Sequence, residues 1–276
     1  MAEMHFRRAA KSIRFGCYSE RGLMSYLMFV CLPKPKKLSK FLEQLHFPKG
    51  SNNPFSKKSN KAVKAIVFSE LDFGNVGFGC PDGAIFVRCP EPMMLFIETK
   101  LNESYVKSCQ TKDKDKYNST IQGQLELRWR LSHLHYNMVQ GLNGKDNHPF
   151  DTTGYVIETD TLKKEYSDRD PFNDPEKQKD AEERGSWRRL KIDDGVKEFL
   201  DKLALCKERV YFCAITDDEK NPFDRDEELI NADGSSMMPR CAGTEWKDSK
   251  DQFCWMSADD LIDFTKDSPS EGTPNA

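Results

Sequence analysis

The sequence predicts an α/β fold in which a mixed central sheet is flanked by helices. Three observations predict it. Short apolar runs at Ala84–Val87, Met93–Ile97 and Val210–Thr216 have the length and the β-branched or aromatic content of buried strands. Apolar residues recur at helical spacing through Leu23, Met24, Leu27, Met28 and Cys31, and Ile121, Leu125, Leu127, Trp129, Leu131, Leu134 and Met138 suit a helix with a broad apolar face. The 276 residues are enough for one large core. Residues 1–265 read as a single domain, with a core at about 15–160 joined by a strand near 210–216. Residues 266–276, rich in Pro, Ser and Gly, read as a disordered tail.

From the N-terminus, Met1–Ser12 is short, polar and basic, an arm or a first helical turn. Ser19 can cap a helix running from Glu20 to Cys31, which Pro33 and Pro35 end. Lys37–His46 is a second amphipathic helix with Leu38, Phe41, Leu42 and Leu45 on one side. Phe47–Asn60 is a loop. Ala62–Phe68 reads as a strand continuing to Phe73, and Gly74, Gly77 and Gly79 mark a turn or close backbone approach before Pro81 and Asp82. Asn102–Lys116 is polar, and a long helix follows over Tyr117–Met138. Gly154–Thr159 is a further strand, and about 160–194 is a charged, helix-containing insertion or mobile excursion. Gly195–Cys206 reads as a helix, Asp217–Arg240 as an acidic loop region, and Ala258–Phe264 as a short helix.

Charged residues make up 32% of the chain, as in a soluble protein with a solvated surface. The longest apolar run, Leu23–Leu32, is interrupted by Ser25 and is too short to span a bilayer, so a cytoplasmic protein with no membrane partner is expected. Nine cysteines are scattered and never spaced as C-x-x-C, which argues against a disulfide framework and against a zinc or iron–sulfur site. His133 and His135 do not share a helix face and make no metal pair. The glycines at 74, 77 and 79 are not followed by a helix, which excludes a dinucleotide fingerprint, and no Walker loop, G-x-S-x-G or H-E-x-x-H occurs. The small net charge of −3 hides an asymmetry. Residues 1–64 hold fourteen basic and three acidic residues, a net of +11 against −14 for the remainder. A basic N-terminal region on an acidic body suits a polyanion.

The stretch Glu70–Tyr105 organises the rest. Its two apolar runs are separated by the turn-like Cys89-Pro90-Glu91-Pro92. If they form an antiparallel hairpin centred near Pro90, positions whose numbers sum to 180 lie opposite each other, and Asp82 faces Glu98. Alternation along a strand puts Glu98 and Lys100 on one face. Two carboxylates and one ammonium so gathered are costly in a sheet unless a metal ion or a substrate uses them.

Pro81-Asp82 at the mouth of one strand, Glu98-Thr99-Lys100 at the end of the next, and a glutamine-bearing helix after them resemble the signature of the PD-(D/E)XK nuclease superfamily. The resemblance covers roughly residues 15–160. It implies a restriction-endonuclease-like core and Mg²⁺-dependent phosphodiester hydrolysis of nucleic acid, DNA before RNA, with Mn²⁺ as a substitute ion. It implies that Asp82 and Glu98 ligate the metal and that the Thr99 carbonyl adds a ligand. Lys100 would be the catalytic cation, and Glu20, Glu70 or Asp72 could complete a second metal site. Gln124 or Gln122 on the following helix would support the site, with Gln124 favoured. Removing either carboxylate should relieve like-charge repulsion and leave the fold intact. The basic N-terminal region would contact the nucleic acid. The alternative is a catalytically silent, nuclease-like nucleic-acid-binding or assembly subunit, and a sugar or nucleotide phosphohydrolase is a weaker one.

Overall fold

The computed structural model describes residues 2–8, 11–17, 20–56, 65–69, 71, 80–88, 91–110, 120–142, 150–151, 154–158, 187–190, 194–224, 229–232, 234–240 and 245–266. Its centre is a five-stranded mixed sheet. Strands β3 (Ala65–Phe68), β4 (Gly83–Arg88) and β5 (Pro92–Lys100) form an antiparallel meander, in which β3 pairs β4 and β4 pairs β5. On the other side of β5, strand β9 (Val210–Thr216) and then strand β10 (Phe253–Ser257) add in parallel. The order across the sheet is therefore β10-β9-β5-β4-β3. The central strand β5 is buried from Met93 to Thr99, which explains its unbroken apolar run: both of its faces are covered. Pro92 begins the strand, a place where a missing N–H is tolerated.

The two faces carry separate cores. Even-numbered residues of the meander, Ala84, Phe86, Met94 and Phe96, pack with Leu125, Leu127 and Leu131 of helix α4 (Ile121–Leu142) and with Phe199, Leu200 and Leu203 of helix α5 (Asp194–Cys206). Odd-numbered residues, Ile85, Val87, Leu95 and Ile97, pack with Leu23, Met24, Leu27 and Met28 at the start of the chain. These lie on helix α1 (Glu20–Tyr26) and the π-helical turn Leu27–Cys31 that continues it. Helix α2 (Pro35–Glu43) and helix α7 (Ala258–Lys266) complete that layer through Phe41 and Phe264, whose rings meet edge to face at 5.7 Å. Helices thus flank both faces of the mixed sheet.

The hairpin register is the one the sequence implied: Gly83 pairs with Ile97, Ile85 with Leu95 and Arg88 with Pro92. Several expectations change. Met1–Ser12, expected as an arm or a first helical turn, instead contains β1 (Ala2–Arg8) and the start of β2 (Lys11–Cys17), which pair antiparallel. The reason is two-residue alternation, which the register uses by pairing Met4 with Phe15 and Phe6 with Ile13. Of the stretch expected as a strand over Ala62–Phe73, β3 takes Ala65–Phe68, Ser69 and Leu71 stand outside the ladder, and 62–64, 70, 72 and 73 lie outside the described residues. The strand ends at Phe68, paired with Ala84, because β4 begins at Gly83 and offers little more ladder to bond. Pro35 opens α2 rather than ending α1, since a proline at the first helical position loses no intrahelical bond. The polar stretch after Lys100 contains a short helix, α3 (Tyr105–Cys109), capped by Ser104.

The strand expected at Gly154–Thr159 lies outside the central sheet. It is β7 (Gly154–Glu158), in a three-stranded antiparallel sheet between β6 (Phe150–Asp151) and β8 (Trp187–Leu190). Strand β8 falls in the stretch read as a charged insertion. Strand β10 went unread because Phe253-Cys254-Trp255-Met256 follows directly on the short helix α6 (Trp246–Ser249) and a 3₁₀ turn. Lys266, expected to begin the disordered tail, is the last residue of α7, and 267–276 lie outside the described residues. Among the described residues no helix is long and apolar enough to cross a membrane.

Candidate active site

Asp82 stands immediately before β4, at the end of the hairpin where β5 runs past its partner. Here its carboxylate takes over from the strand ladder. Asp82 Oδ2 accepts hydrogen bonds from the Thr99 amide at 2.8 Å and from the Thr99 hydroxyl at 2.7 Å. Both bonds fall on Oδ2, and Oδ1 has no part in them. Extending the hairpin register by two pairs sets Pro81 opposite Thr99. Proline has no N–H to donate, so the edge of β4 offers the Thr99 carbonyl no ladder bond at this position.

Gly83, next in sequence, is buried and lies hard against the helical layer beneath. A Cβ there would collide with Cε of Met28 and stand 3.7 Å from Cε of Met24. Absence of a side chain leaves room for the end of the Met28 side chain against the backbone at the mouth of the hairpin. Glu20 is one turn before Met24 on the same helix, so the segment that approaches Gly83 is the one that carries it.

Glu98 is fully buried on the face of β5 that meets α4. Its Oε1 accepts a hydrogen bond from Nε of Arg128, which is 2% exposed, and the two form a buried ion pair. Its Oε2 is equally enclosed and makes no hydrogen bond within the protein. Burial pushes the Glu98 carboxyl up from 4.5 to about 7. The Arg128 guanidinium opposes that rise, the Asp82 carboxylate adds to it, and the Lys100 ammonium opposes it more weakly. Asp82 and Lys100 thus both act electrostatically on Glu98. Lys100, at the last position of β5, is partly exposed.

Helix α4 separates the two glutamines. The buried Gln122 amide donates to Oε1 of Glu126 at 3.2 Å and to the carbonyls of Ser236 and Met238 at 3.1 and 3.2 Å. Glu126 Oε1 also accepts from the Arg240 amide at 3.1 Å. Gln122 thus fastens the 236–240 segment to the helix. Gln124 stands one turn before Arg128, on the same helical face, and its buried Oε1 makes no hydrogen bond within the protein.

Arg128 was not singled out from sequence. A signal existed: Thr120, Gln124 and Arg128 recur every fourth residue, a polar stripe on a helix whose neighbouring stripe, Ile121 and Leu125, is apolar and buried. Asp218 was also missed. Its Oδ2 accepts from the Tyr105 amide at 2.7 Å and from the Thr216 hydroxyl at 2.6 Å, and Thr216 Oγ1 accepts from the Trp255 indole at 2.9 Å. Because Thr216 is the register partner of Lys100, this network pins the chain beside and just beyond the lysine.

Of the further expected ligands, Glu70 and Asp72 lie outside the described residues, and Glu20 is described only as the first residue of α1. Among the described residues no three His, Cys, Asp or Glu side chains come together as a metal cluster. What the mouth of the hairpin offers is two carboxylates, Asp82 and Glu98, and a main-chain carbonyl, Thr99. These are hard oxygen donors, and Mg²⁺ is held by one or two carboxylates with waters completing its shell. The enclosed, unbonded Oε2 of Glu98 fits that use. No protein-family model, curated protein or solved structure matches this chain.

Proposed function

We propose that this chain is a divalent-metal-dependent nuclease of PD-(D/E)XK type, hydrolysing phosphodiester bonds of nucleic acid, DNA before RNA. The observation that carries the reading is the meeting of Asp82, Glu98 and Lys100 at one end of the β4–β5 hairpin, with Glu98 Oε2 unbonded. The element order supports a restriction-endonuclease-like core: helix α1, the meander β3–β4–β5, helix α4, then β9 parallel to β5.

Asp82, Glu98 and the Thr99 carbonyl would hold Mg²⁺ or Mn²⁺, with Glu20 or Glu70 as candidates for a second ion. When bound, the ion supplies Lewis acidity at the scissile phosphate and lowers the pKa of a water it holds. Lys100 carries three N–H donors on a compact charge, suited to orienting that water or to stabilising charge on the phosphate in the transition state. Thr99 holds Asp82 in place through two hydrogen bonds. Gln124, one turn from Arg128, supports the site from α4. The basic N-terminal region would contact the polyanion. Its hairpin register brings Arg8 opposite Lys11 and His5 opposite Arg14, while Lys57, Lys58, Lys61 and Lys64 lie outside the described residues. Lys37 has a structural use, since its ammonium donates to the Phe264 carbonyl at 3.2 Å. The scattered cysteines, never spaced as C-x-x-C, suit a reducing compartment, the cytoplasm.

One observation favours the second reading, a silent nuclease-like binding or assembly subunit. Arg128 gives Glu98 a cationic partner from within the protein. Incubating the full chain with single- and double-stranded DNA and RNA, in Mg²⁺, Mn²⁺ and EDTA, separates the two. The nuclease reading expects metal-dependent cleavage, abolished by Asp82→Asn and reduced by orders of magnitude by Lys100→Ala. Salt-sensitive binding without cleavage in any metal supports the silent subunit. Neither binding nor cleavage removes both.

A further inference from the structure

We propose that Arg128 is the positioning residue of the divalent-cation site: it anchors Oε1 of Glu98 so that Oε2 is left to take the ion. This rests on the metal-site reading above and adds to it the residue that sets the ligand's orientation.

The argument begins with the torsion that ends a glutamate side chain. It is broad and roughly two-fold, so packing alone does not decide where each carboxylate oxygen points. A ligand to a metal needs that choice made in advance. Arg128 makes it with a planar donor whose own position is fixed by burial, since both partners are almost wholly enclosed. The form of the contact matters. A guanidinium serving merely as a counter-ion ordinarily takes both oxygens of a carboxylate in a fork. Here Nε engages Oε1, while Oε2, equally buried, receives no hydrogen bond. A buried carboxylate oxygen without a partner is costly unless something else uses it. The other charges acting on Glu98 are Asp82 and Lys100, which are the residues at the mouth of the hairpin. The arrangement thus has an anchored side and an open side.

The experiment measures Mn²⁺ binding to the full chain by the loss of the free-ion electron-paramagnetic-resonance signal, without reference to cleavage. Wild type, Asp82→Asn, Arg128→Lys and Arg128→Gln are compared, with near-UV circular dichroism confirming folding. Saturable Mn²⁺ binding is expected in wild type and is lost in Asp82→Asn. Arg128→Lys keeps the charge but not the planar anchor, and it should weaken Mn²⁺ binding by about 10- to 100-fold, as loss of a group that orients a ligand does. A folded Arg128→Lys protein that binds Mn²⁺ as well as wild type, or more tightly, overturns the proposal and leaves the metal site standing. Absence of Mn²⁺ binding in wild type overturns both. Should the Arg128 variants not fold, nitrogen NMR of the Arg128 Nε–H in wild type decides instead. On adding Mg²⁺ its signal should shift yet stay protected from solvent exchange. Loss of that protection would mean that the ion displaces Arg128, contrary to the proposal.

Discussion

Thr99 gives both its amide and its hydroxyl to one oxygen of Asp82, at 2.8 and 2.7 Å. The residue between Glu98 and Lys100 is thereby the one that holds the aspartate. Thr99→Val keeps shape and the amide bond while removing the hydroxyl. It should cost about 1–3 kcal/mol in urea unfolding, as loss of a hydrogen bond to a charged group does. It should also lower Mn²⁺ affinity. An unchanged affinity would mean that Asp82 is held well enough by the amide alone.

The Glu98–Arg128 pair reverses one expectation drawn from the sequence. Relief of repulsion was expected on removing either carboxylate, but Glu98→Ala takes away the carboxylate that pairs with a buried guanidinium. Such a truncation should destabilise by about 3–5 kcal/mol. The double variant Glu98→Met/Arg128→Met should recover much of that loss, because two apolar side chains replace two buried charges. Denaturant unfolding of the single and double variants gives the coupling directly. Additive losses would mean that the two side chains do not interact in solution.

Glu98 also predicts a pH dependence for the metal-free protein. Its carboxyl is raised from 4.5 to about 7 in the fold, by burial above all. Between those values the native state holds a proton that the unfolded chain has released. The contribution of Glu98 to stability is therefore full below about pH 4.5 and is lost as pH rises through about 7. The loss amounts to about 3 kcal/mol at most. Urea unfolding of wild type and Glu98→Gln from pH 4.5 to 8 should show the wild type losing ground to the variant across this window. A difference independent of pH would mean that Glu98 does not titrate there.

The two glutamines of α4 should separate cleanly. Gln122→Ala removes three buried contacts to Glu126, Ser236 and Met238 and should cost about 1–3 kcal/mol in stability. Gln124→Ala removes an amide whose oxygen has no hydrogen bond in the fold, so stability should change little while metal-dependent cleavage falls. Thermal melts and cleavage assays on the two variants check this. The opposite pattern would transfer the supporting role to Gln122.

The hairpin and its cluster were legible in the sequence because the information there is local. Apolar runs on both sides of Cys89-Pro90-Glu91-Pro92 fix a register, and a two-residue alternation fixes faces, so Asp82, Glu98 and Lys100 could be brought together on paper. Helix α4, helix α5 and strand β9 were legible for the same reason. What only the tertiary structure decided depends on which elements meet. Nothing local says that Arg128, thirty residues after Glu98, becomes its partner, for that needs α4 laid across β5. Nor does local pattern reveal that β7 joins a separate sheet, or that β10 extends the central one beside β9. A strand declares its own faces, but its neighbours are set by the packing of the whole chain.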